Sequence, residues 1–237
     1  MNLVVYLLKL SFVPTLILFV GIKLANAQDA EDELGNWFIV NSTVRFSDHW
    51  SLFTEAHLRL WEVASNLDEI VLRATAHYNF TPDAMVGLGY VRAPSWPFED
   101  GSRNRIENRI YQQLALWQNW GRTRFEHRYR LEQRWLDRDG EVDYSNRARY
   151  RLQATIPISN KMMGPKTVFI NAYNEIFINF GSQRAFDQNR VYGAVGFQFS
   201  TNSILQLGLL WQARLNRDFF RLQMFYTHNF DLRKQSD

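Results

Sequence analysis

"RTRFEHRYRLEQRW", Arg122 to Trp135, is the stretch on which the fold turns. Every even position from Arg124 to Arg134 is charged: Arg124, Glu126, Arg128, Arg130, Glu132 and Arg134. The odd positions read Phe125, His127, Tyr129, Leu131, Gln133 and Trp135. Side chains alternate between faces in this way only on a β-strand. One face is mostly aromatic and aliphatic, and the other is a row of charges. A soluble sandwich or lipocalin-type barrel would bury the apolar face and give the charges to water. A membrane barrel would reverse this, with lipid outside and the charges around a lumen.

The same period recurs along the chain. "HWSLFTEAHLRLW" sets Leu52, Leu58 and Leu60 against Glu55, His57 and Arg59. "DEIVLRATAHYNF" sets Ile70, Leu72 and Tyr78 against Glu69, Arg73 and His77. "RIENRIYQQLALW" sets Ile106, Ile110 and Leu114 against Arg105, Glu107 and Arg109. "SNRARYRLQATIPI" sets Tyr150 and Leu152 against Arg147, Arg149 and Arg151. Later segments place Arg190, Arg214 and Arg221 opposite Val, Leu and Phe, and a strand over Thr167–Phe180 carries Glu175. With Trp37–Phe46 and Ala84–Arg92 the count is about eleven strands, mostly 9 to 14 residues long. Strands of soluble domains run about 5–6 residues, whereas a tilted membrane-crossing strand needs about 9–11. Short connections such as "TPDA" and "QNWG" alternate with longer ones such as "APSWPFEDGSRN" and "LDRDGEVDY". Trp50, Trp117 and Trp120 fall by short turns, and Trp61 and Trp135 by long loops, as in two aromatic girdles. The odd count resists, because single-chain bacterial barrels have even strand numbers. His127 and Gln133 resist too, since they would face lipid.

The ends of the chain address location. "MNLVVYLLKLSFVPTLILFVGIKLANAQ" has an apolar run from Leu10 to Ile22, then Ala25-Asn26-Ala27, and reads as a signal peptide cut after Ala27. Residues 28–35 then form a short acidic segment and 36–237 one barrel domain. There is no cysteine, so an exported fold must rely on packing or a closed hydrogen-bond ladder. The chain after residue 27 carries 22 Arg and 3 Lys. A solvated surface normally carries plenty of Lys. Arg suits a confined space in which a planar fork pairs with carboxylates. The expectation is an all-β, up-and-down antiparallel transmembrane barrel of about 10–12 strands in the outer membrane.

"RFEHRYRLEQRW", "NEIF", "FDQNRVYGAVGFQFS", "LQLGLLWQ" and "HNFDLR" resemble the bacterial family catalogued as domain of unknown function 2490. The resemblance implies an outer-membrane barrel with no assigned activity, and supplies no site residues. The last strand ends at Phe230, similar to the aromatic-terminated signal read by barrel-assembly machinery.

The sequence offers no nucleophile elbow, phosphate-binding glycine loop or cysteine metal site, so no enzyme, cofactor or metal is expected. His228 lacks an evident serine partner for a lipid-modifying enzyme. Export removes nucleic acid as a partner, leaving the bilayer, the assembly machinery and a small anionic solute. The densest charge cluster is Arg124, Glu126, Arg128, Arg130, Glu132 and Arg134 beside Arg147, Arg149 and Arg151. The wider inward set comprises fourteen Arg and six Glu, a surplus of eight positive charges. It points to a narrow passage favouring anions, or to a network that plugs the barrel.

Overall fold

The computed structural model describes residues 30–98, 102, 105–181 and 185–233. The expected signal peptide and its cleavage site lie outside the described residues. Eleven long strands follow one another round a closed wall. They are β1 (Leu34–Arg45), β2 (Trp50–Leu60), β3 (Leu67–Thr81), β4 (Ala84–Ser95), β5 (Arg105–Trp120), β6 (Thr123–Arg138), β7 (Glu141–Pro157), β8 (Thr167–Phe180), β9 (Phe186–Gln198), β10 (Ser203–Arg214) and β11 (Arg217–His228). The barrel begins at Leu34, two residues inside the segment assigned to the acidic leader.

Each strand pairs antiparallel with its sequence neighbours, but β1 and β11 pair in parallel, Leu34 opposite Phe220 through Asn41 opposite Thr227. The odd count dictates this: after eleven up-and-down strands the first and last run the same way. The ladder then breaks. Asn229 turns its side-chain oxygen to the Thr43 N–H at 3.0 Å, and a two-residue strand, β12 (Phe230–Asp231), resumes the pairing against Val44 and Arg45.

Stagger fixes the tilt. Following register partners from Arg45 of β1 round the wall, by way of His77, Gln113, Arg149 and Gln188, arrives at Arg217 of β11. Leu34 is opposite Phe220, so Arg217 is level with position 31 and the circuit has climbed 45 − 31 = 14 residues. Over eleven strands that stagger corresponds to a tilt of about 40–45°.

The barrel has two rims. The first carries the connections after β2, β4, β6, β8 and β10 as well as the start of β1; the second carries the others and the end of β11. The expected contrast in loop length is weaker than the sequence suggests. The β6–β7 connection is a two-residue turn, Asp139 and Gly140, both at positive φ, because the ladder continues to Arg138 and Glu141. The outer wall exposes Leu72, Leu88, Leu131, Val195 and Leu207, among many others. Apolar side chains also fill part of the interior. Trp37, Ile39, Tyr192, Ala194 and Leu210 cluster near the β1–β11 seam, and Val71, Val91, Ala93 and Tyr111 cluster on the opposite wall. Gly89 on the inner face of β4 leaves the space that the Tyr111 ring occupies, so any Cβ there would collide with it.

Candidate functional site: the charged lumen

Period-two alternation carries the inward charges of β6 and β7 onto facing register positions. Arg128 is opposite Arg151, Arg130 opposite Arg149, and Glu132 opposite Arg147. Two guanidiniums directly opposite each other repel, so carboxylates must lie between them. Glu132, 1% exposed, takes Arg147 Nη2 and Arg149 Nη1 at 2.6 Å each. Glu175, from β8, takes Arg149 Nη2 at 2.9 Å and Arg128 Nη2 at 2.8 Å. Glu126 takes Arg151 at 2.5 Å, and Glu107 on β5 takes both Arg134 at 2.5 Å and Arg109. A separate group forms on β2 and β3. Glu55 binds Arg73 and His57, the latter at 2.8 Å, while Glu69 binds Arg59 and has Arg105 at 3.8 Å. Most of these pairs lie within a strand or between neighbours, while Arg128 on β6 reaches past β7 to Glu175 on β8, and every glutamate in the expected set is engaged.

The remaining guanidiniums lack a carboxylate at hydrogen-bond distance among the described residues, although Arg130 has Glu132 at 3.9 Å. Arg130, 4% exposed, donates to Gln113 Oε1 at 2.7 Å and stacks on Tyr111. Arg124 lies over Trp117, Arg214 over Phe219, and Arg190 over both Trp37 and Phe177. Arg221, expected in the lumen, lines neither cavity. It packs at the first rim between Trp61 and Phe219, with the Glu33 and Trp61 carbonyl oxygens accepting from it.

Two cavities occupy the interior. The one toward the first rim measures about 410 Å³ and is walled by Arg59, Arg105, Arg109, Arg134, Arg190 and Arg214, among others. The one toward the second rim measures about 450 Å³ and is walled by Arg124, Arg130, Glu126 and His77, among others. Both touch Glu55, Arg128, Arg151, Tyr173 and Phe225. These five side chains, from β2, β6, β7, β8 and β11, stand between the two cavities and form a septum there.

Asp68 and Asp187 also line the first cavity, but so does Arg138, and Arg45 lines the second, while Glu132 like Arg221 lines neither; among the described residues the two walls together carry fifteen Arg and seven carboxylates, so the surplus of eight stands on a different set. Asp68 and Asp187 both stand next to β-bulges, at Arg59/Leu60 opposite β3 and at Phe177/Ile178 opposite β9, where one extra residue breaks the alternation. Trp61 and Trp117 point inward rather than forming girdles; Trp117 Nε1 donates to Glu126 at 3.2 Å. His228 does have a serine partner: Ser203 Oγ lies 2.7 Å from its Nδ1. Ser203 is buried and no third described side chain bonds that imidazole, so the pair fixes the β10–β11 register. His127 and Gln133 face outward, each with a partner there. Tyr150 is 2.8 Å from His127, and Gln112 is 3.1 Å from Gln133. No cluster of metal-ligating side chains occurs among the described residues.

The model of one family, described as Protein of unknown function (DUF2490), matches residues 34–223. No curated protein and no solved structure matches the chain.

Proposed function

Because the chain belongs to the family described as Protein of unknown function (DUF2490), with no activity to inherit, we propose a role from the barrel itself: an outer-membrane barrel that passes small anions. Membrane insertion is supported by the outer wall. Leu88 is 59% exposed, and Val195, Leu207 and Leu131 are exposed around the rest of the circumference. Soluble monomers rarely expose contiguous apolar patches beyond a few hundred Å². Arg92 is the only charged side chain on the outer face away from the strand ends among the described residues, and it lies 3.4 Å from Asn108 Oδ1. Strands of 11 to 17 residues at this tilt cross a hydrocarbon layer. The partners in this reading are the bilayer and the machinery that inserts barrels.

Anion preference rests on one observation: guanidiniums outnumber carboxylates around both cavities. Such walls raise the local concentration of anions and exclude cations. The septum makes the passage narrow and selective. A second reading, a plugged barrel without transport, is favoured by the burial of the Glu132 and Glu175 pairs. Purified protein in a planar bilayer under a salt gradient separates the two. A reversal potential on the anion side supports passage, and a silent bilayer with folded protein supports the plug.

A further inference from the structure

The first cavity contains a set of polar atoms that the protein itself leaves without partners. Trp37 Nε1, Arg190 Nε, and both the oxygen and nitrogen of the Gln223 amide are shut off from solvent and make no hydrogen bond among the described residues. All three side chains line that cavity. Register brings them together: Gln223 on β11 is the partner of Trp37 on β1 across the parallel seam, and the Arg190 guanidinium stacks on the Trp37 ring at 5.1 Å. Orphaned buried donors are rare because each forfeits its bond to water.

The charges around them are equally uneven. The Trp37 and Phe177 rings gather four guanidiniums: Arg59 on Trp37, Arg147 and Arg149 on Phe177, and Arg190 on both. Arg59 is held by Glu69, Arg147 by Glu132 and Asp187, and Arg149 by Glu132 and Glu175. Among the described residues Arg190 has no carboxylate at ion-pair distance, and its one hydrogen-bond acceptor is the Gln188 amide oxygen, 3.4 Å away. Its register partner across the ladder is Glu175, whose carboxylate is already taken by Arg128 and Arg149.

We propose that Arg190, Trp37 and Gln223 form a binding site for one small oxyanion, such as phosphate or a carboxylate, on the wall of the first cavity. The ligand supplies the missing negative charge to Arg190 and, as small side-chain turns bring the covered donors of Trp37 and Gln223 to the cavity surface, accepts hydrogen bonds from the indole N–H and the amide N–H. Several oxygens are needed to meet donors on three strands, which favours an oxyanion over a halide. The site rests on the reading that the cavity admits anions.

The test uses the intact protein in detergent. Its melting temperature is followed against sodium phosphate, with sodium chloride at matched ionic strength as reference. A saturable rise with phosphate alone is expected. Trp37→Phe keeps the ring and removes one donor, and should weaken the half-saturation concentration several-fold; Arg190→Gln should weaken it by about tenfold or more. Trp120→Phe, at an exposed turn, should leave it unchanged. Heat-modifiable mobility shows which variants fold, and if Arg190→Gln does not, Trp37→Phe carries the test alone. No saturable response in the parent, or parent-like response in a folded Trp37→Phe, overturns the site. Anion-selective conductance without phosphate binding removes the site and leaves the passage; binding in a silent barrel removes the passage and leaves the site.

Discussion

Arg147 reaches Asp187 at 2.7 Å, forty positions along the chain, from β7 to the bulge that opens β9. The same guanidinium holds Glu132 through Nε and Nη2 at 2.8 and 2.6 Å. Arg147 therefore has one buried carboxylate and one at the water-facing edge of the cavity. Asp187→Asn removes the outer one only. The expected stability loss is below about 1 kcal/mol, as for a partly solvated pair. The lost negative charge should move the reversal potential further to the anion side; a shift toward cations would contradict the charge-surplus account.

The inner pairs should behave differently. Arg128→Gln together with Arg149→Gln strips Glu175, 3% exposed, of both its guanidinium partners. A buried carboxylate left alone costs about 3–5 kcal/mol. Glu132→Gln should cost less, because Arg147 retains Asp187 and Arg149 retains Glu175. Urea unfolding of the folded protein in detergent measures both. If the double variant unfolds at the parent's midpoint, the network around Glu175 is wet and its charges are screened by water.

Facing can be read on a single strand. Cysteines at Tyr129 and Leu131, which are exposed on the outer wall, should carry probes quenched by a lipid-soluble agent. Probes at Arg128 and Arg130 should be untouched by it. The opposite pattern would make the apolar face a soluble core and remove the membrane.

The parallel closure places the start of β1 and the end of the last strand at opposite rims. Leu34 starts at the first rim, and Phe230 and Asp231 lie at the second. With the Phe230 end on the periplasmic side, where assembly begins, an epitope placed before Glu31 should be labelled on intact cells. One placed after Arg233 should be labelled only after permeabilisation. Labelling of both under the same condition would refute the eleven-strand closure.

What the sequence made legible follows the pleat. Wherever the strands are regular, period two assigns each residue to a face, so Arg124 to Arg134 and Arg147 to Arg151 could be set side by side from their spacing. The pattern says nothing where a bulge inserts a residue, and Asp68 and Asp187 stand at two such places. Proximity to a turn misled for Trp61 and Trp117, whose parity already set them on the inner face with Arg59 and Gln113. Ser203 and His228 sit 25 residues apart on adjacent strands, and only the register of β10 on β11 joins them. The orphaned donors at Trp37 and Gln223 could not be foreseen, because the seam that makes them neighbours depends on strand parity.

That seam also bears on how the barrel assembles. Apart from the seam's short continuation onto β12, every other ladder joins strands adjacent in sequence and can form as the chain folds hairpin by hairpin. The β1–β11 ladder joins segments about 186 residues apart, as in the Thr43–Asn229 contact. Distant contacts are the slow ones in folding, since their chain entropy is lost before the contact rewards it. Parallel pairing is also slightly weaker per residue than antiparallel. The wall thus closes last along one line, which should also be where it parts first under load. The Arg190 pocket lies against that line, so a bound oxyanion would act as a late fastener, stabilising the finished barrel without speeding its formation.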